Sequence, residues 1–113
     1  MTPEHMDIHV CDAAVSLAFS VLGKRWNGMI LSTLGGGALS FAALRRSVTG
    51  ISDAVLSDRL TELADATLVT RTVTDGPPIA VSYALTPSGK ELLPVLDQLG
   101  TWAAANLTPA PGR

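Results

Sequence analysis

The segment from Ser40 to Gly89 constrains this chain more than any other part of it. It runs through two stretches with helical spacing, two stretches with period 2 and a fresh helix start, leaving almost no residues for loops. Ser40 is suited to cap a helix ending near Ser47, with Phe41 and Leu44 facing a core. Val48-Thr49-Gly50 reads as a turn. Ser52 then caps a second helix, in which Leu56, Leu60 and Leu63 recur at i, i+4 and i+7 and form one apolar stripe. Ala54, Asp58 and Thr61 lie opposite that stripe, with Ser57 on its flank. Val69, Arg71 and Val73 alternate with threonines, and Ile79, Val81, Tyr83 and Leu85 alternate after an Asp75-Gly76-Pro77-Pro78 turn. Two helices, a tight turn and a hairpin in this order make a winged helix-turn-helix, which lays its second helix in the DNA major groove.

The rest of the chain reads as helices around that unit. Residues 1–10 look like a short arm. Asp12 can cap a helix in which Val15, Ala18, Phe19 and Leu22 repeat at helical spacing, and Gly23 closes it. Lys24 to Leu34 follows as a helix with Trp26, Ile30 and Leu34 on one face and Met29 beside them. Gly35-Gly36-Gly37 has no strand before it and no Gly-Lys-Ser/Thr after it, so it reads as a connection rather than a phosphate cradle. Ala38-Leu39 can add a very short strand. Thr86-Pro87 opens a last helix, proline fitting a first helical position, and it carries Leu92, Val95, Leu96, Leu99, Trp102 and Ala103 to about residue 106. Residues 107–113 read as a flexible tail. The expected fold class is mainly α with a small β-hairpin wing (α+β).

Composition neither makes nor breaks a nucleic-acid reading. The formal net charge is −2, whereas a DNA binder usually carries a basic excess. Phosphate neutralisation depends on where cations sit, so the organisation of the chain has to carry the argument. No apolar run is long enough for a bilayer, and the N-terminus lacks the basic and apolar regions of a secretory signal. The single cysteine cannot form an internal disulfide, and a cytoplasmic location is expected. His5, Asp7, His9 and Cys11 alternate, but a short arm is a poor cage, so no metal is expected. Both histidines lie in the arm and no Gly-x-Ser-x-Gly appears, so neither an enzyme nor a cofactor is expected.

Across residues 11 to 102 the chain resembles the HxlR-type regulators, a branch related to the MarR-like winged-helix proteins. The matching residues are Cys11, Gly23-Lys24-Arg25-Trp26, Phe41-x-x-Leu44-Arg45-Arg46, Gly50-Ile51-Ser52 and Leu56-Ser57-x-Arg59-Leu60. Leu68-Val69-x-Arg71 and Tyr83-x-Leu85-Thr86-Pro87-x-Gly89 complete the set. The resemblance implies one domain over 11–106, a transcription regulator, a repressor more readily than an activator. It implies a homodimer joined by its first and last helices, on a double-stranded operator with two-fold-related half-sites. Ser52, Ala54, Ser57, Asp58 and Arg59 then lie on or near the reading helix, while Arg45, Arg46 and Arg71 meet phosphates.

The departures fall on that face. Ala54 stands where the family commonly has lysine, and Asp58 where a neutral polar residue is usual. The second helix holds Asp53, Asp58, Glu62 and Asp65 against Arg59 alone, with Glu62 and Asp65 expected to be solvated. Cys11 stands where some relatives sense oxidants or electrophiles, and its alternative is a small packing residue. Two other functions fit the same scaffold. One is a regulator with a small apolar or aromatic effector held near Phe19, Trp26, Met29 and Trp102, whose default role is packing. The other is a protein-interaction domain that has lost DNA binding.

Overall fold

Ser40 and Ser52 start the two central helices. In the computed structural model, which describes residues 3–109 and the side chains from Ala13 onward, Ser40 Oγ accepts from the Ala43 amide at 3.1 Å. Ser52 Oγ accepts from the Val55 amide at 3.2 Å. Each hydroxyl satisfies an amide that has no partner inside its helix. The elements in order are α1 (Pro3–Leu22), α2 (Asn27–Leu34), β1 (Leu39–Ser40), α3 (Phe41–Ser47) and α4 (Asp53–Asp65). Then come β2 (Val69–Thr74), β3 (Ala80–Leu85), α5 (Pro87–Glu91) and α6 (Leu93–Asn106). The three strands form an antiparallel sheet in the order β1-β3-β2.

The core is aliphatic. Leu56, Leu60 and Leu63 of α4 meet Ile30, Leu31 and Leu34 of α2, with Leu44, Val48, Ile51, Val69 and Leu85 closing the cluster. Val69 pairs with Leu85, and the register continues through Arg71 opposite Tyr83 to Thr74 opposite Ala80. One face of the hairpin is therefore core at its base and open further out. Gly50 sits in the turn between α3 and α4 at φ +94°, a conformation that side chains resist. Gly89 is buried, and a methyl group there would collide with the Leu68 carbonyl, so the start of α5 packs directly on the hairpin base.

Several boundaries differ from the sequence reading, the smallest shift being β1, which is Leu39–Ser40 rather than Ala38-Leu39. Residues 3–10, expected as an arm, continue α1, and Asp12 lies inside that helix instead of capping it. Pro3 suits a first helical position and no glycine or proline interrupts Glu4 to Leu22. The helix expected from Lys24 begins at Asn27, after a turn in which the Asn27 amide donates to the Lys24 carbonyl at 3.2 Å. The last helix is two, because Pro94 has no amide to give the Lys90 carbonyl. Leu92 instead donates to Gly89 at 3.1 Å.

Candidate nucleic-acid interface

The outward face of α4 is assembled from short side chains. Ser52, Ala54, Ser57 and Asp58 are all exposed, on the side away from the three buried leucines. Asp58 takes part in none of the ion pairs found among the described residues. Beside this face a groove of about 340 Å³ separates α4 from the wing, lined by Ser57, Thr61, Asp65, Arg71 and Tyr83 among others. Arg71 and Tyr83 are partners in the hairpin register, so both project from the same side of the sheet, toward α4. Tyr83 as part of this groove was not anticipated. It needed the register, which alternation in either strand alone does not provide.

The cations divide into free and committed. Arg45 and Arg46 occupy the last turn of α3, where a positive charge complements the helix dipole. Arg45 Nε also lies 3.1 Å from Asp53 Oδ1 at the start of α4. Both partners are largely exposed, so the pair is weak in water and can be exchanged for a phosphate. Arg71 is exposed at the groove. Arg59 is different. Its side chain is only 21% exposed, it points along the flank of α4, and its Nη1 lies 3.7 Å from Glu62 Oε1. It does not share the outward face with Ala54 and Asp58.

Glu62, expected in solvent, is the centre of a polar cluster. Its Oε1 accepts from Asn27 Nδ2 at 2.9 Å and its Oε2 from Lys24 Nζ at 3.0 Å. The amide of Asn27, then the Lys24 ammonium, hold the carboxyl below the ordinary glutamate range, with Arg59 adding to the effect. Glu62 is therefore ionised at neutral pH. Asn27, missed from the sequence, has no exposed surface. Its signal was available: it precedes Ile30, Leu31 and Leu34 at the spacing of the buried face of α2.

Other expected sites come together less well. A widely open cavity of about 590 Å³ lies between the α1 end, α2, the α3 end and α6, and Arg25, Met29, Val48 and Leu96 help to line it. Of Phe19, Trp26, Met29 and Trp102, only Met29 reaches it. Phe19 and Trp102 are each 54% exposed, and Trp26 packs at the edge of the core, so one chain does not gather the four into a pocket. The amides of Gly35, Gly36 and Gly37 donate to the carbonyls of Ser32, Thr33 and Leu34, which leaves none to cradle a phosphate. The side chains of His5, Asp7, His9 and Cys11 lie outside the described residues, but their backbone belongs to α1, where alternate residues do not share one side as they would in an extended arm. Among the described residues no helix is long and apolar enough to cross a membrane.

Comparison with known proteins gives this geometry a context. Residues 21–111 match the model of the HxlR-like helix-turn-helix family. The HTH-type transcriptional regulator YodB of Bacillus subtilis (strain 168) is 40% identical over 86 residues, 76% of this chain and 77% of that protein. YvaP of the same organism, also an HTH-type transcriptional regulator, is 34% identical over 93 residues, 82% of this chain and 86% of its own. The reduced form of YodB from B. subtilis superposes with a TM-score of 0.77 at 34% identity, covering 97% of this chain and 98% of that one. The redox regulator HypR in its oxidized form superposes with a TM-score of 0.78 at 29% identity, covering 85% and 99%.

Proposed function

The chain belongs to the HxlR-like helix-turn-helix family and is a DNA-binding transcription regulator, not an enzyme, and on that premise we propose that it is a homodimeric repressor. One observation carries the dimer: α6 buries none of its residues, although Val95, Leu99 and Trp102 stand on it. Val15, Leu17 and Phe19 of α1 are exposed as well. Apolar area of this kind on two terminal helices is what a two-fold, self-complementary interface covers. The dimer presents two α4 helices to half-sites about one DNA turn, or a multiple of it, apart.

Arg45, Arg46 and Arg71 meet phosphates in this reading, and Ser52, Ala54, Ser57 and Asp58 face the base edges. Asp58 offers an acceptor to a cytosine amino group. Arg59, committed to Glu62, holds α4 rather than reading DNA. Cys11 is the redox-sensitive group: it is the only cysteine of the chain, so oxidation joins two subunits or captures a small thiol. Diamide-treated and quinone-bound forms of the related YodB support this reading.

The test is operator binding with DNA from upstream of the chain's own gene. Affinity should fall steeply and linearly on a log–log plot against salt, and Arg46→Ala should lower the slope by about 1. Diamide should release the wild type and leave Cys11→Ser bound. If no DNA is retained even at low salt, the protein-interaction reading takes over.

A further inference from the structure

Lys24, Arg25 and Trp26 lie in the connection between α1 and α2, Asn27 opens α2, and three of these four residues reach the helix-turn-helix unit. Asn27 has two amide hydrogens and both are used: one donates to the Val21 carbonyl at 2.8 Å and the other to Glu62 at 2.9 Å. Val21 lies in the last turn of α1, where carbonyls have no partner inside the helix. Glu62 lies in the penultimate turn of α4. One buried side chain thus bridges the end of α1 and the recognition helix. Lys24 reaches the same carboxylate. Trp26 stands against the turn before α4, where a methyl group on Gly50 would lie 3.6 Å from its ring. Arg25 covers the Trp26 ring, 4.7 Å from its centroid.

We propose that Asn27 and Glu62 are positioning residues for operator binding, which lock α4 to the end of α1 so that the two shift together. The inference rests on the DNA-binding function given above. The physical ground is directionality. The leucine stripe of α4 chooses which face turns inward, but apolar contact is non-directional and tolerates a modest roll or slide. Hydrogen bonds weaken steeply when misaligned, so a carboxylate gripped by two donors fixes the roll of the helix. The cluster also carries a cost. Asn27 Oδ1 and Arg59 Nε are buried without a partner among the described residues. These two desolvated groups offset part of the stability that the cluster adds, so its directionality, rather than its net stability, carries the proposal.

The experiment uses the full-length protein and its operator, with Glu62→Ala and Asn27→Ala measured singly and together. Alanine is the best helix former, so Glu62→Ala keeps α4 even if the buried change at position 27 loosens the fold. Each single variant should bind operator about five- to tenfold more weakly. The double variant should be no weaker than the weaker single one, because both cut one link. Hydrogen exchange supplies the readout that mere stabilisation would not move. Operator should slow exchange in α4 and also across residues 21–27 of the wild type, but only in α4 of Glu62→Ala. The proposal is overturned if both variants bind within about twofold of a wild type that does bind. It is equally overturned if residues 21–27 remain protected by operator in Glu62→Ala. A wild type that binds no DNA sinks the underlying function, and this inference with it.

Discussion

α4 and α6 are nearly the same length, 13 and 14 residues, yet they stand in opposite relations to the core. α4 buries three leucines and presents short polar side chains outward. α6 carries apolar residues around much of its circumference and buries none of them completely. Leu93 and Leu96 lean on the core, while Val95, Leu99 and Trp102 face away from it. A narrow stripe is satisfied by one core; a wide one is not. The helix-turn-helix unit is thus packed within a single chain, whereas the terminal helices leave apolar area uncovered, which in the proposed dimer a second copy covers.

Breaking the outer face of α6 should therefore have the largest effect on function and little on the fold. Leu99→Glu combined with Trp102→Glu should give a monomer in sedimentation velocity, with helicity by circular dichroism unchanged. Operator affinity should drop about 10²- to 10⁴-fold, since the two half-sites are no longer engaged by one linked molecule. A double variant that still sediments as a dimer would move the interface elsewhere.

The same contrast predicts where single truncations hurt. Leu63 is fully buried, so Leu63→Ala should cost about 2–5 kcal/mol in urea unfolding. Leu99→Ala, at a position 43% exposed, should change the unfolding of an isolated subunit by no more than about 0.5 kcal/mol. Equal costs would mean that α6 is held by its own chain after all.

Much of this architecture was legible before any coordinates. Ser40, Ser52 and Thr86 each precede a periodic run, and each hydroxyl accepts from an amide three residues on. Alternation in Val69–Val73 and Ile79–Leu85 marked the hairpin, because only an extended chain brings every second side chain to the same face. What stayed hidden depends on neighbours distant in sequence. Glu62 looks like any solvated helix glutamate until Asn27, 35 residues earlier, is brought beside it. Arg59 reads as an exposed cation until the fold shows its side chain only 21% exposed, with Nη1 3.7 Å from Glu62 Oε1. Tyr83 reads as an ordinary strand residue until the register sets it opposite Arg71. The split at Leu92 was a different kind of miss, since Pro94 was there to be read and the apolar periodicity on both sides of it masked the break.

The end of α4 offers the smallest and most local test of the idea that this helix is completed from within. The Leu68 amide donates to the Leu63 carbonyl at 3.0 Å and the Thr67 amide to Ala64 at 2.9 Å. That pair of bonds is a Schellman cap, and it requires a left-handed residue at position 67. Glycine usually fills that place, but here Thr67 does, at φ +60°. A β-branched residue is strained there. The strain is held by the hairpin base: Thr86 Oγ1 donates to the Thr67 carbonyl at 2.7 Å, and the Thr86 amide to the Leu68 carbonyl at 3.0 Å. Thr67→Gly removes the clash, while the more flexible unfolded chain gives back part of the gain. The net expectation is a stabilisation of about 1 kcal/mol in urea or thermal unfolding, with operator affinity unchanged. A destabilised Thr67→Gly would mean that the threonine side chain contributes more to the α4–β2 corner than its backbone costs, and that the recognition helix is anchored at both ends by side chains rather than by its leucine stripe.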